Sequence, residues 1–222
     1  MTPFSKIEEY ASQHHGGLKA LNKKLTKPKS KQAIKAQADN LWLSAASKGV
    51  FQAGFNWQII ENKWPHFETH YKQFDLAFCR SRSDEQLEAI MKKEGLVKNW
   101  QKTRTIQQNA DFFYQLSQEH GSLGAYFSQW NTENYCNNLQ YIMKNGARLG
   151  GKTAQIFLRR MGVDSFVFSN DVIRALQLAE VLDKAPSSKK AWLSFQNAIN
   201  TWRAESKRSL NEISQILAYS IG

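Results

Sequence analysis

The chain has 222 residues, and 30 Lys and Arg against 19 Asp and Glu give a formal net charge of +11 at pH 7. This length allows a substantial core, and the charge favours a polyanionic partner such as nucleic acid. A membrane protein is not expected, because no apolar run approaches the length of a transmembrane helix and the N-terminus lacks a signal-peptide core. The two cysteines, Cys79 and Cys136, cannot form a disulfide framework and are typical of a reducing cytoplasm.

Apolar residues recur at helical spacing along most of the chain, and no segment alternates long enough to predict a strand. The spacing therefore predicts an all-α fold. Residues 19–35 contain seven lysines and no acid, which predicts either an arm that follows phosphates or a solvated linker. A helix is predicted over residues 32–48, with Gly49 ending it. Further helices are predicted over residues 2–13, 53–62, 66–74, 84–94, 98–120, 123–144, 155–161, 170–182, 189–203 and 210–221.

The segment from Gln52 to Trp57 has a composition that suits contact with stacked bases better than it suits a core helix. It reads Gln-Ala-Gly-Phe-Asn-Trp. Gly54 allows the backbone to approach a ligand closely, and Phe55 can act as an apolar wedge between bases. Trp57 offers a ring face on which a displaced base can stack. We therefore predict base-binding roles for Gln52, Phe55 and Trp57, and DNA contacts for Gly54 and Phe55.

Three motifs follow one another here: QAGFNW at residues 52–57, WPHFETHYKQFD at residues 64–75 and DEQLEAIMKKEGLVKNWQKTRTIQQNADFF at residues 84–113. Their order and spacing resemble the middle of bacterial 3-methyladenine DNA glycosylase I. The resemblance implies a helix-hairpin-helix DNA glycosylase with two helical lobes. Such an enzyme flips an alkylated base, 3-methyladenine foremost, out of double-stranded DNA and hydrolyses its N-glycosidic bond. The resemblance implies no cofactor, and we expect the protein to be a monomer.

The segment Leu-Gly-Gly-Lys-Thr-Ala at residues 149–154 is similar to the hairpin of helix-hairpin-helix proteins. In that hairpin, backbone amides at the start of a helix bind a phosphate, and the helix dipole favours its charge. Arg148 stands where the pattern has its first glycine, and Ala147 where proline is common. Arg159 and Arg160 add attraction for phosphates; the alternative is an ordinary glycine turn between packed helices. The predicted DNA contacts in this segment are Leu149, Gly150, Gly151, Lys152 and Thr153.

Two residues near the hairpin are candidates for chemistry by this resemblance. Lys152 occupies the position of the Schiff-base lysine in glycosylases that also cleave the strand, although a lysine there can equally lie beside phosphates. Such enzymes also carry an aspartate that stabilises the cationic sugar or orients the water. Asp171 fills this catalytic role only if the loop differs by two residues, because Ser169 aligns with that position. Otherwise Asp171 is a first-turn acid of a helix that Ser169 caps.

One acid that the family implies is missing from its expected place. The resemblance implies a base-recognising glutamate just before Gln-Ala-Gly, where this chain has Lys48 or Gly49. A cationic alkylated purine is poorly served by a nearby lysine. Either another acid such as Glu61 reaches the pocket, or the substrate differs, or the pocket is inactive.

The family's zinc site also lacks a counterpart. Cys79 and Cys136 are internal, and the C-terminus contains no ligand. His66 and His70 stand four residues apart, but no third and fourth ligand accompanies them at recognisable spacing. We therefore predict no metal site.

The chain is expected to form a single glycosylase-like domain with a cleft between its lobes. One wall would contain Gln52 to Trp57, and the other the hairpin and residues 169–171. The alternatives are a DNA-binding protein of this fold with lost or altered catalysis, a bifunctional glycosylase and lyase, and a helical scaffold that binds no nucleic acid. The predicted parts of the domain (1–222) are an N-terminal helix with the basic segment (1–40), a lobe with the wedge and base pocket (41–145), and the hairpin with the terminal helices (146–222).

Overall fold

The computed structural model describes residues 1–222 and contains fourteen α-helices, two 3₁₀ turns and no strand. The predicted all-α class is confirmed. The first seven helices are α1 (Phe4–His14), α2 (Leu18–Lys24), α3 (Lys31–Lys35), α4 (Asp39–Gln52), α5 (Trp57–His70), α6 (Leu76–Arg80) and α7 (Asp84–Met91). The other seven are α8 (Trp100–His120), α9 (Leu123–Ser128), α10 (Tyr135–Asn145), α11 (Lys152–Met161), α12 (Asn170–Leu178), α13 (Lys189–Ser206) and α14 (Leu210–Tyr219). The 3₁₀ turns are Lys72–Phe74 and Thr132–Asn134.

The helices belong to two compact units. The first unit consists of Met1–Lys29, Trp130–Leu139 and Gly162–Gly222. The second consists of Ser30–Gln129 and Gln140–Met161. None of the helices combines the length and the apolar composition that a membrane span requires.

Aromatic packing and a buried carboxylate stabilise the first unit. The rings of Phe166 and Phe195 meet edge to face with their centroids 4.8 Å apart. Helix α14 begins where the N–H groups of Leu210 and Asn211 donate to the carboxylate of Asp164, at 3.2 and 2.8 Å. Burial raises the pKa of Asp164, and the two N–H donors oppose that rise. Asp164 therefore anchors the start of this helix, where the helix dipole favours an acid.

Helix α8 is the central helix of the second unit. It has 21 residues and is the longest helix of the chain, in agreement with the prediction for residues 98–120. The predicted inward face is buried, with Ile106, Ala110 and Phe113 inaccessible to solvent and Leu116 nearly so. Helices α4, α6, α7 and α9 pack against α8, and α11 packs against α4. The residues predicted to bind DNA between Gln52 and Thr153 all belong to this unit.

The prediction that Gly49 ends the helix before the wedge segment is wrong. Helix α4 begins at Asp39 and continues through Gly49 to Gln52. A glycine inside a helix costs about 1 kcal/mol relative to alanine. The extra turn buries Val50 and Phe51, which are 1% and 0% exposed, and burial of each such side chain contributes about 1.5–3 kcal/mol. Packing therefore overrides the glycine signal.

Parts of the two helices predicted over residues 53–62 and 66–74 form one helix, α5, whereas residues 53–56 are a loop and residues 72–74 a 3₁₀ turn. Asn56 caps α5 by accepting a hydrogen bond from Gln58 N at 2.9 Å, and the helix runs through Pro65 to His70. Proline removes one backbone hydrogen bond from a helix. Trp64 and Phe67 on either side of it are buried and stack with their centroids 4.8 Å apart. This packing keeps the helix continuous.

Other predicted segments also have different bounds in the structure, and three of them differ in how the chain is divided or ended. The helix predicted over residues 123–144 is divided into α9 and α10, because Asn131 accepts from Glu133 N and starts a 3₁₀ turn. The helix predicted over residues 170–182 ends at Leu178, two residues before Glu180 adopts a left-handed backbone conformation. The lysine-rich segment 19–35 contains the short helices α2 and α3.

Candidate nucleic-acid interface

The loop of residues 53–56 between α4 and α5, here called the wedge loop, exposes two aromatic rings at its C-terminal end. Gly54 has a φ of +76°, a conformation that favours glycine. The N–H of Phe55 donates to the carbonyl of Gln52 at 3.1 Å, which closes the turn. Phe55 is 40% exposed and Trp57, the first residue of α5, is 50% exposed. Both rings are therefore accessible for the contacts predicted from the sequence, and their roles stay predictions.

The hairpin between α10 and α11 is open at its two glycines. No atom lies within 4 Å of a Cβ built on Gly150 or Gly151, and both residues are exposed. Gly151 has a φ of +53°. Leu149 is fully buried and Lys152 begins α11 as an exposed residue. A phosphate could therefore approach the backbone at Gly150 and Gly151 without meeting a side chain at either position.

A buried amide of α8 holds the hairpin in place. Asn109 donates from Nδ2 to the carbonyl of Ala147 at 3.0 Å and accepts from the N–H of Ala147 at 2.8 Å. The following residue, Arg148, has a φ of +55°, which explains why the family pattern places a glycine there. The Arg148 guanidinium donates to Gln101 Oε1 at 2.5 Å. The hairpin thus keeps its shape without the usual proline and first glycine.

Helix α11 begins at the hairpin and, within the second unit, contacts the residues on either side of the wedge loop. A Cβ built on Gly49 of α4 would lie 3.4 Å from Thr153 Cγ2, so the two helices approach closely just after the hairpin. Further along α11, Arg160 donates to Gln52 Oε1, and its guanidinium lies 4.8 Å from the ring centroid of Trp57. The predicted phosphate-binding and base-binding residues are therefore joined by one helix pair.

Five side chains form a continuous chain of polar and cation–π contacts beside the wedge loop, here called the polar chain. Lys48 Nζ lies 2.5 Å from Glu61 Oε2, and Gln52 Nε2 donates to Glu61 Oε1 at 2.8 Å. Gln52, which is only 2% exposed, accepts from Arg160, and Arg160 covers Trp57. The hydrogen bond from Lys48 is the main reason why the pKa of Glu61 lies below its usual range, although burial opposes the shift. Glu61 is thus held as an anion.

The polar chain includes Lys48, one of the two residues at the place where the family resemblance implies a glutamate. Lys48 is paired with Glu61, so its charge is compensated by an acid from the next helix. The sequence suggested Glu61 only as one possible replacement. The sequence feature that indicates a place for Glu61 beside Trp57 is their spacing of four residues, because residues four apart lie on one face of a helix.

Lys102 lies near the wedge loop and is not among the residues predicted from the sequence. It lies four residues before Ile106 on the buried stripe of α8, and it is 5% exposed. Its Nζ lies 4.2 Å from the ring centroid of Phe55. A lysine in register with an apolar helical stripe was the signal that could have identified it.

Asp171 belongs to the first unit, as an exposed residue in the first turn of α12. Ser169 caps that helix by accepting from Val172 N at 3.2 Å, the arrangement expected if Asp171 is a first-turn acid. This geometry is compatible with either predicted role of Asp171.

The residues present do not fit the zinc site of the family. Cys79 and Cys136 are both buried free thiols. No group of three or more His, Cys, Asp and Glu side chains is placed to hold a metal ion.

Residues 36–168 match the model of a family described as methyladenine glycosylase. A solved structure of a Methanocaldococcus jannaschii 8-oxoguanine glycosylase/lyase in complex with a 15mer DNA containing 8-oxoguanine is similar in fold, with 15% identity, 96% of each chain covered and a TM-score of 0.53. A structure of the 8-oxoguanine DNA glycosylase of the same organism has 17% identity over 95% of this chain and 89% of that chain, with a TM-score of 0.54. No curated protein gives a significant match.

Proposed function

Because the chain belongs to the methyladenine glycosylase family, we propose that it is a DNA repair glycosylase that excises alkylated bases, 3-methyladenine foremost, from double-stranded DNA. The observation that carries this proposal is the pair of exposed rings, Phe55 and Trp57, in the same compact unit as an open glycine hairpin. Enzymes that act on a base in duplex DNA must extrude it, and they need a wedge, a stacking surface and a grip on the backbone. The two rings and the backbone of the glycine hairpin offer all three.

The reaction is hydrolysis of the bond between C1′ of the sugar and the base nitrogen. The base leaves with the bonding electrons, and water adds to C1′ and releases a proton, which leaves an abasic site. An N3-alkylated adenine carries a positive charge and departs as a neutral base. Binding and flipping can therefore supply much of the selectivity with little acid catalysis.

Each predicted residue has its own role in the proposal. Phe55 enters the base stack, and the extruded base stacks near Trp57. The backbone of Gly150 and Gly151 approaches a phosphate at the start of α11, where the helix dipole favours negative charge. Asp171 is the candidate for stabilising the cationic sugar or positioning the water.

The primary test is release of free bases from methylated duplex DNA by the full chain. We expect release of 3-methyladenine by the wild type and a decrease of about tenfold in Trp57→Ala, because stacking of one base on an aromatic ring is worth about 1–3 kcal/mol. Ile59→Ala is the matched control, since Ile59 is another exposed apolar residue of α5. DNA binding without base release in the wild type would support a binding protein that has lost catalysis.

A substitution at Asp171 separates its two roles. If Asp171 acts at the sugar, Asp171→Asn should lower kcat strongly while thermal stability stays close to that of the wild type. If it is only a first-turn acid, the substitution should cost about 0.3–1 kcal/mol of helix stabilisation and leave kcat unchanged. Single-turnover base release combined with thermal unfolding distinguishes the two results.

A neutral oxidised purine is a second candidate lesion, and the charges beside Trp57 favour it. Arg160 already covers the indole with a cation, and Lys48 compensates Glu61. A cationic base would meet like charge there, which is unfavourable. The two similar M. jannaschii proteins are described as 8-oxoguanine glycosylases. Release of 8-oxoguanine in preference to 3-methyladenine would support this candidate, and strand nicking that Lys152→Ala abolishes would add lyase chemistry.

A further inference from the structure

Lys102 is a buried lysine whose side chain forms no ion pair. It is 5% exposed, and lysine is almost never fully buried unless it is paired. Its Nζ donates to the carbonyl of Phe51 at 3.0 Å and to that of Ala53 at 2.5 Å. The carbonyl of Phe51 is in the last turn of α4, and that of Ala53 is at the start of the wedge loop. The ammonium therefore satisfies carbonyl groups at a helix C-terminus, where a cation is favourable.

The third contact of Lys102 is with the proposed wedge itself. The Phe55 ring centroid lies 4.2 Å from Nζ, within the range of a cation–π interaction. An ammonium has three donors, so two can serve the carbonyls while the third side of the group faces the ring. Phe55 nevertheless stays 40% exposed. Lys102 thus joins the backbone before Gly54 to the side chain after it.

We propose that Lys102 is a positioning residue that holds the wedge loop and Phe55 in the conformation that enters the DNA stack. The proposal rests on the proposed function, since it concerns how that function is prepared. Gly54 gives the loop conformational freedom, which would be lost when Phe55 inserts. A contact that orders the loop before DNA arrives lowers this cost of binding. Lys102 contributes to activity through Phe55 without touching the reacting atoms.

Other lysines near the interface do not share this arrangement. Lys152 is exposed at the start of α11, and Lys48 is paired with Glu61. Burial of Lys102, followed by the nearby charge of Arg148, lowers its pKa below the usual lysine value.

The test is a double-mutant cycle on Lys102→Met and Phe55→Ala in the full chain. Duplex opening is followed by the fluorescence of 2-aminopurine beside a tetrahydrofuran abasic-site analogue, and catalysis by single-turnover release of the lesion base. We expect each single variant to reduce opening and release by about tenfold, and the double variant to be no worse than Phe55→Ala alone, because residues in contact are coupled. Lys102→Arg, which keeps the charge, should retain more activity than Lys102→Met.

A matched control and a folding measurement accompany the cycle. Lys93→Met removes the same charge from an exposed lysine that is outside the proposed interface, and it should leave opening and release near the wild-type values. Thermal unfolding identifies variants that fail to fold. If Lys102→Met does not fold, the cycle is made with Lys102→Arg. Independent effects of Lys102→Arg and Phe55→Ala on duplex opening and base release then overturn the proposal.

The outcomes separate this inference from the proposed function. Independent, multiplicative losses in the double variant overturn the positioning role of Lys102 while wild-type base release still supports a glycosylase. A wild type that neither opens the duplex nor releases a base overturns the proposed function, and the inference with it. Base release by the wild type, together with coupled losses in the variants, supports both the proposed function and the positioning role of Lys102.

Discussion

At the scale of single residues, the amide of Gln52 is the central link of the polar chain. An amide can donate on one side and accept on the other, and Gln52 does both, donating to Glu61 and accepting from Arg160. A carboxylate in its place could not donate to Glu61. A methyl group in its place could do neither. The orientation of the Arg160 guanidinium over Trp57 therefore depends on one buried side chain.

Replacing Gln52 should weaken both the fold and the proposed base site. Gln52→Leu leaves Glu61 and Arg160 each without one partner, which should cost about 1–3 kcal/mol of unfolding free energy. Denaturant unfolding and base-release kinetics measure the two effects. Gln58→Leu is the control, because Gln58 is an exposed residue of α5 whose side-chain amide donates only to Asn62. Equal losses in both variants would contradict a special role for Gln52.

Removing Lys48 should change the titration of Glu61. The hydrogen bond from Lys48 is the largest cause that lowers the pKa of Glu61, so Lys48→Met should raise that pKa towards the usual glutamate value. In the wild type, the favourable effect of this lowered pKa is present above the unfolded-state pKa and is lost as the pH falls through the folded-state pKa. A carbon-13 NMR titration of the Glu61 carboxyl measures both midpoints. An unchanged midpoint in Lys48→Met would show that the pair does not form in solution.

At the scale of secondary-structure elements, the hairpin between α10 and α11 combines an anchored side with an open side. Asn109 and the buried Leu149 hold it in place within the second unit. Gly150 and Gly151 leave the opposite side free of side chains. Only Gly151 needs the left-handed backbone conformation. The two glycines therefore serve different purposes, although they are adjacent in the sequence.

Alanine at each glycine should separate folding from DNA binding. Gly151→Ala places a side chain in a left-handed conformation and should cost about 1–2 kcal/mol of stability. Gly150→Ala meets open space and no positive φ, so it should leave thermal stability nearly unchanged while it weakens DNA affinity by blocking phosphate approach. Unfolding and fluorescence-anisotropy binding give the two values. Unchanged DNA affinity in Gly150→Ala would remove this residue from the interface.

At the scale of the whole molecule, the net charge of +11 attracts any polyanion, and the folded arrangement must decide which lysines and arginines contact DNA. Binding through phosphates releases counterions, so the affinity falls as the salt concentration rises. The number of contacting charges is therefore measurable without a complex structure.

Removing one contacting charge should make the salt dependence less steep. Lys152→Gln should lower the slope of log affinity against log salt by about 1 in magnitude, because one phosphate contact is lost. Lys184→Gln, an exposed lysine outside the proposed interface, should keep the wild-type slope. If the two variants have equal slopes, the start of α11 does not contact phosphate.

Much of the fold follows from local patterns. The spacing of Ile106, Ala110, Phe113 and Leu116 predicts the central helix, and the glycines at 150 and 151 predict a turn, because both signals come from neighbouring residues. Helix bounds were less predictable where burial competes with a local breaker. Gly49 and Pro65 both lie inside helices, since the aromatic side chains beside them gain more from the core than the backbone loses.

By itself, the sequence determined the helical class, the family resemblance, the wedge segment and the glycine hairpin, since each depends on residues that are close together along the chain. Only the tertiary structure decided that Arg160 meets Gln52, that Lys48 is paired with Glu61, and that Lys102 contacts the ring of Phe55. The contact of Arg160 joins residues 108 positions apart, and the bond from Lys102 to Phe51 joins residues 51 apart. Such contacts arise from helix packing, because side-chain spacing along one helix does not specify which residues of another helix it will face.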